Sequence, residues 1–139
     1  MSKEIYITSS CIIYNKSVRK NGELLFKNDD QRLTDFLQSA YQHVGFRYPK
    51  FYKMDNLSKL GWLATEVLLQ DDFEAGKYTP ESIGVVLANA SSCLDTDRKY
   101  YDSTKDIASP ALFVYTLPNI VIGEICIRHN FKGENAFFI

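Results

Sequence analysis

The stretch that decides the fold is Ser109–Ile139, SPALFVYTLPNIVIGEICIRHNFKGENAFFI. Pro118 stands where a helix can begin, because a proline in the first turn gives up no intrahelical hydrogen bond. After it, residues 119–129 read as a mostly apolar helix. Glu124 and Arg128 form an i,i+4 pair on its one polar stripe. Lys132-Gly133 is expected to stop that helix at a residue tolerant of positive φ. Residues 136–139, Ala-Phe-Phe-Ile, follow as a short apolar strand. A buried helix that feeds a hydrophobic strand is core architecture.

Working outward, Ile83-Gly-Val-Val-Leu-Ala88 is a continuous apolar run of the kind a central parallel strand shows when both its faces are covered. Residues 56–70 read as a helix capped by Asp55. Leu57, Leu60, Ala64, Val67 and Leu68 form its main face, which Trp62 and Leu63 widen. Gly61 costs about 1 kcal/mol against alanine inside a helix, so another backbone is expected to pass close there. Nearer the start, residues 5–13 are rich in β-branched side chains and read as a first strand. Asn21-Gly22 is a hairpin turn joining residues 17–20 to 23–26. With Asp29 or Asp30 as cap, Leu33, Phe36, Leu37, Ala40, Tyr41 and Val44 recur at helical spacing up to Gly45. Residues 95–106 are a polar loop or short irregular helix. Their Asp95 and Asp97 lack the glycine and glutamate of a calcium-binding EF-hand loop. The fold class expected is α/β, with helices layered on a sheet.

Two blocks of this sequence resemble the first half of the β-ketoacyl-acyl carrier protein synthases, which have a thiolase-like fold. One block is Ser109-Pro110, Leu117-Pro118-Asn119, Gly123 and Lys132-Gly133. The other is Lys53-Met54-Asp55 with Leu57, Lys59-Leu60 and Ala64. The resemblance covers about residues 46–139, and the Ile83 strand with the small-residue turn Asn89–Ser92 fits between the blocks. That turn lacks the glycines that many synthases carry there. By this likeness the chain is one partial thiolase-like domain over residues 1–139. It stops at Ile139, just before the position of the nucleophilic cysteine. The synthase cysteine and histidines fall beyond the matched part, so no catalytic residue is transferred.

Composition sets the remaining bounds. The chain has 139 residues, 45% apolar and 24% charged, with a formal net charge of −1. That suits one globular domain and supplies no global field to recruit nucleic acid or a membrane. Cys11, Cys93 and Cys126 are far apart and read as reduced, buried thiols. With His43 and His129 they make no metal-binding spacing, and no phosphate-binding glycine loop follows the Ile83 strand, so neither metal nor cofactor is expected. Cys126 and His129, at i,i+3, read as a packed thiol beneath a surface imidazole rather than as an activated pair. The start of the chain has no signal-peptide pattern and no run approaches a membrane span, which points to the cytoplasm.

The most unusual segment is Phe46–Asp55, FRYPKFYKMD, where Arg47, Lys50 and Lys53 alternate with aromatic rings. It admits three readings: inward-turned rings with cations in water, which composition favours; a surface for an acidic protein; and single-stranded nucleic acid, disfavoured by the balanced charge. The resemblance selects the second. In synthases, basic residues ahead of the Met-Asp pair dock the acidic helix of an acyl carrier protein, which makes Arg47, Lys50 and Lys53 the docking candidates. It also implies a homodimer, or a heterodimer with a synthase, through Leu112, Phe113, Ala136, Phe137, Phe138 and Ile139. The implied activity is that of a ketoacyl synthase-like acyltransferase of fatty-acid or polyketide-type biosynthesis, truncated or non-catalytic as it stands. The alternative is a non-enzymatic subunit that pairs with an active synthase.

Overall fold

The computed structural model describes residues 4–29 and 32–139. Among these residues are five α-helices, a three-stranded antiparallel sheet and a two-stranded parallel sheet, so the fold is mixed α/β. The chain divides into two compact units: residues up to Tyr48 with Leu63–Ala75, and Pro49–Trp62 with Gly76–Ile139.

The first unit begins with the meander β1 (Cys11–Tyr14), β2 (Ser17–Lys20) and β3 (Glu23–Lys27). The Asn21-Gly22 turn lies where expected, with φ of 49° and 87°. Asn15-Lys16, at 46° and 51°, forms a second tight turn of the same hand. The strand expected over residues 5–13 is instead β1 alone. Residues 4–10 join no ladder, and Ile5 and Ile7 are 94% and 92% exposed. The physical reason is that β propensity expresses packing against neighbours, and among the described residues no strand lies beside these.

Helix α1 (Leu33–Val44) buries Phe36, Leu37, Ala40 and Tyr41 and ends at Gly45, whose φ is 79°. The ring of Phe26 lies 5.7 Å from that of Phe36 and 5.1 Å from that of His43. Leu33, expected on the buried face, is half exposed in the first turn. Asp29 pairs with Lys27 at 3.0 Å rather than capping α1, and Asp30 lies outside the described residues. The N-cap position belongs to Arg32, whose Nε bonds Asp35 at 3.0 Å.

Helix α2 (Asn56–Leu69) gives its first seven residues to the second unit and the rest to the first. Its buried stripe is Ser58, Lys59, Trp62, Leu63, Glu66 and Val67. Leu57, Leu60, Ala64 and Leu68, expected to face the core, are only partly covered. Asp55 caps the helix as expected, accepting the Ser58 N–H at 2.9 Å. Its other oxygen accepts the hydroxyl of buried Thr96 at 2.8 Å. Asp55→Ala removes a cap and orphans that hydroxyl, so a loss of about 1–2 kcal/mol is expected in urea denaturation. Asp55→Asn should retain most of the stability.

In the second unit β4 (Val85–Ala88) pairs in parallel with β5 (Asn135–Phe138), from Val85↔Asn135 to Ala88↔Phe138. The connection passes through α3 (Leu94–Ser103), α4 (Pro110–Val114) and α5 (Ile120–His129), and α5 packs on β4. The segment read as a polar loop or irregular helix thus forms the regular helix α3, and Tyr100 meets Phe113 of α4 at 5.5 Å. β4 is not covered on both faces within the described chain: Val86 is 68% exposed, and Phe138 of β5 60%.

Two boundary expectations are corrected. Pro118 precedes the α5 N-cap, Asn119, whereas Pro110 takes the first turn of α4 behind the Ser109 cap. Asn130, with φ of 55°, ends α5 in place of Gly133. Gly133 has a different task, because a Cβ there would lie 2.5 Å from the Ile83 carbonyl oxygen. At Gly61 the close neighbour is a side chain rather than a backbone, with Val121 Cγ2 2.6 Å from where a Cβ would stand.

Candidate functional site

The basic segment straddles the boundary between the units in sequence. Arg47 belongs to the first and is exposed, close to Tyr48, whose N–H donates to the Tyr41 hydroxyl at 2.6 Å. Pro49–Lys53 forms one 3-10 turn of the second unit. This turn sorts its side chains sharply. Phe51 is buried, its centroid 5.5 Å from that of Trp62, and Met54 is buried as well. Tyr52 and Lys53 face solvent. The inward-ring reading therefore describes Phe51, whereas Tyr52 is exposed, its ring edge-on to Phe51 at 6.1 Å.

Lys50 is held differently from Lys53. Its Nζ lies 2.8 Å from Oε1 of Glu124, whose side chain is 7% exposed against 47% for the lysine. Glu124 was expected on a polar stripe beside Arg128. It sits instead on the buried side of α5 with Val121, Ile122 and Ile125, turned to a cation from a distant part of the sequence. No local pattern announces that pair. Lys59 likewise carries no local sign of its burial. It is largely enclosed, with Nζ 5.9 Å above the Phe51 ring, and burial lowers its pKa against the opposing pull of Asp55.

The interface candidates all fall in the second unit. Phe113, Phe138 and Ile139 are exposed, and Leu112, Ala136 and Phe137 are half-buried. Beyond their mutual ladder, β4 and β5 have no further strand neighbour among the described residues. Parallel sheets are normally buried on both faces, so this pair exposes surface that such sheets usually hide.

All three cysteines are free; Cys93 is buried as expected, whereas Cys11 and Cys126 are only partly covered. Burial pushes the pKa of Cys11, Cys93 and Cys126 upward; for Cys11, nearby Lys20 offsets part of the rise. A thiol held protonated is a poor nucleophile. The His129 ring stacks on Phe131 at 5.2 Å. Among the described residues no group of histidine, cysteine and carboxylate side chains could hold a metal ion. No helix there is long and apolar enough to cross a membrane.

A recess of about 130 Å³ in the first unit is lined by Thr8, Ser9, Leu68, Leu69, Asp72 and Phe73, below the ~300 Å³ at which small-molecule pockets begin. Its polar side is already satisfied. Asp72 accepts from Lys20 at 2.9 Å and Ser9 at 3.1 Å, and the Lys20 hydrogen bond leads in holding its carboxyl below the usual range.

No family model matches the chain, and no curated protein matches it.

Proposed function

We propose that this chain is a β-ketoacyl-acyl carrier protein synthase-like protein of fatty-acid or polyketide-type biosynthesis that binds rather than condenses. The resemblance of its two sequence blocks suggests the family. The observation that carries the reading is the β4–β5 pair: two parallel strands joined through helices, with α5 packed on β4, as a layered thiolase-like sheet requires. Burial raises the pKa of all three thiols, which disfavours them as acyl acceptors. The exposed faces of Val86 and Phe138 favour pairing, with a second copy or with an active synthase.

The acidic partner in this reading is an acyl carrier protein, engaged through the basic segment ahead of Met54-Asp55. Such a contact speeds encounter and sets orientation, and each exposed ion pair contributes about 0.2–1 kcal/mol. Titration of an acidic carrier protein into the labelled chain, followed by NMR, should shift resonances around Tyr52 at low salt and less at moderate salt. Intact mass after incubation with an acyl-loaded carrier should stay unchanged. Absence of shifts at low salt refutes carrier binding, and stoichiometric acylation of a cysteine refutes the non-catalytic assignment.

A further inference from the structure

Within the carrier-docking reading, on which this rests, we infer that the two lysines of the 3-10 turn have separate tasks. Lys53 makes the contact with the acidic partner, and Lys50 is a positioning residue that serves as internal counter-ion to Glu124. Spacing alone treats Lys50 and Lys53 as equivalent cations on one turn. Their surroundings do not.

Glu124 lies among Val121, Ile122 and Ile125 on the side of α5 that faces the core of its unit. Its Oε1 has Lys50 at 2.8 Å, and its Oε2 is buried without a hydrogen-bond donor. Lys50 is thus the cation that neutralises this carboxylate among the described residues. A buried charge whose partner is withdrawn is strongly destabilised, because water cannot replace the lost ion. An acidic surface that drew the Lys50 ammonium away from Glu124 would leave that carboxylate uncompensated, which the docking energy of one exposed pair is too small to offset. While the pair stays intact, its neutralised ammonium offers a partner little net charge. Lys53 carries no such obligation. Its side chain is exposed and makes no ion pair or hydrogen bond among the described residues. It also follows exposed Tyr52, which offers an adjoining ring to a partner surface.

The pair Lys50→Met with Glu124→Leu replaces two charges by apolar groups of similar size, a change that folded proteins commonly tolerate. Four chains are compared by urea denaturation and by NMR titration with an acidic carrier protein: wild type, Lys53→Glu, Lys50→Met and Lys50→Met/Glu124→Leu. Lys53→Glu should keep the wild-type urea midpoint and weaken carrier affinity about tenfold, from one lost attraction and one new repulsion. Lys50→Met should lower the midpoint, and the double variant should restore both the midpoint and carrier binding. A wild-type Kd retained by Lys53→Glu, or one lost in the stably folded double variant, overturns this division of labour while leaving carrier binding intact. An unchanged midpoint in Lys50→Met overturns the counter-ion role whatever the titration shows. If the wild type itself gives no shifts, the carrier-docking reading fails and the task of Lys53 with it, whereas the midpoints still judge Lys50.

Discussion

Trp62→Ala is expected to cost about 3–5 kcal/mol, a large share of the 5–15 kcal/mol that holds a typical domain folded. Trp62 is completely buried in α2, and its ring centroid stands 5.5 Å from that of Phe51, itself fully buried. Truncation to a methyl group removes one aromatic wall of that contact and leaves a cavity that a rigid helix cannot close. Thermal unfolding should shift down by roughly 10 °C or more. Trp62→Phe, which keeps a ring in place, should cost markedly less. Trp62 is the single tryptophan, so the wild-type unfolding it reports by fluorescence can be compared with circular dichroism of the variants. An alanine variant melting within a degree or two of wild type is incompatible with this packing.

Gly133→Ala should be nearly as damaging, for a different reason. Its Cβ would stand 2.5 Å from the Ile83 carbonyl oxygen, 2.7 Å from the carbonyl carbon and 2.9 Å from the Glu81 carbonyl oxygen. All three are backbone atoms, and the Gly133 N–H already donates to Ile83 at 3.1 Å. Relief therefore requires moving the entry to β4 and the entry to β5 apart, at about 3 kcal/mol, the upper end of ordinary overpacking. Gly61→Ala is the informative control. There the clash at 2.6 Å is with one methyl of Val121, a side chain that can turn, and alanine gains about 1 kcal/mol of helix propensity. The two glycine variants should thus separate widely in urea midpoint. Equal midpoints would mean that the approach of Gly133 to Ile83 is looser than described.

The features legible in the sequence are those that local chemistry decides. Asn21-Gly22 accepts positive φ at both turn positions, Gly45 ends α1, and Asp55 meets the exposed amides of α2, each within four residues of its partner. The apolar runs of β4 and β5 likewise mark their own strands. What stayed hidden depends on a distant neighbour. Residues 5–7, Ile-Tyr-Ile, look like a strand but have none beside them among the described residues, and Glu124 looks like a surface acid until Lys50 reaches it. Gly133 reads as a helix stop, yet its missing side chain answers to Ile83. The basic segment was legible as a whole, whereas its division into an engaged lysine and an exposed one required the geometry of α5.

The two sheets also differ in when they can exist. The β1–β2–β3 meander closes over turns of two residues, so it can form within about 1–10 μs of its residues becoming available. β4 has no such local partner: Val85 pairs with Asn135, 50 residues later by subtraction. At roughly 5–20 residues per second of synthesis, an apolar strand waits about 3–10 s for the segment that completes its ladder. During that interval Val85–Ala88 is a bare β-forming edge near the nascent chains of neighbouring ribosomes. The newborn protein is therefore open to misassembly at this strand, and a chaperone that shields it has only those seconds in which to act.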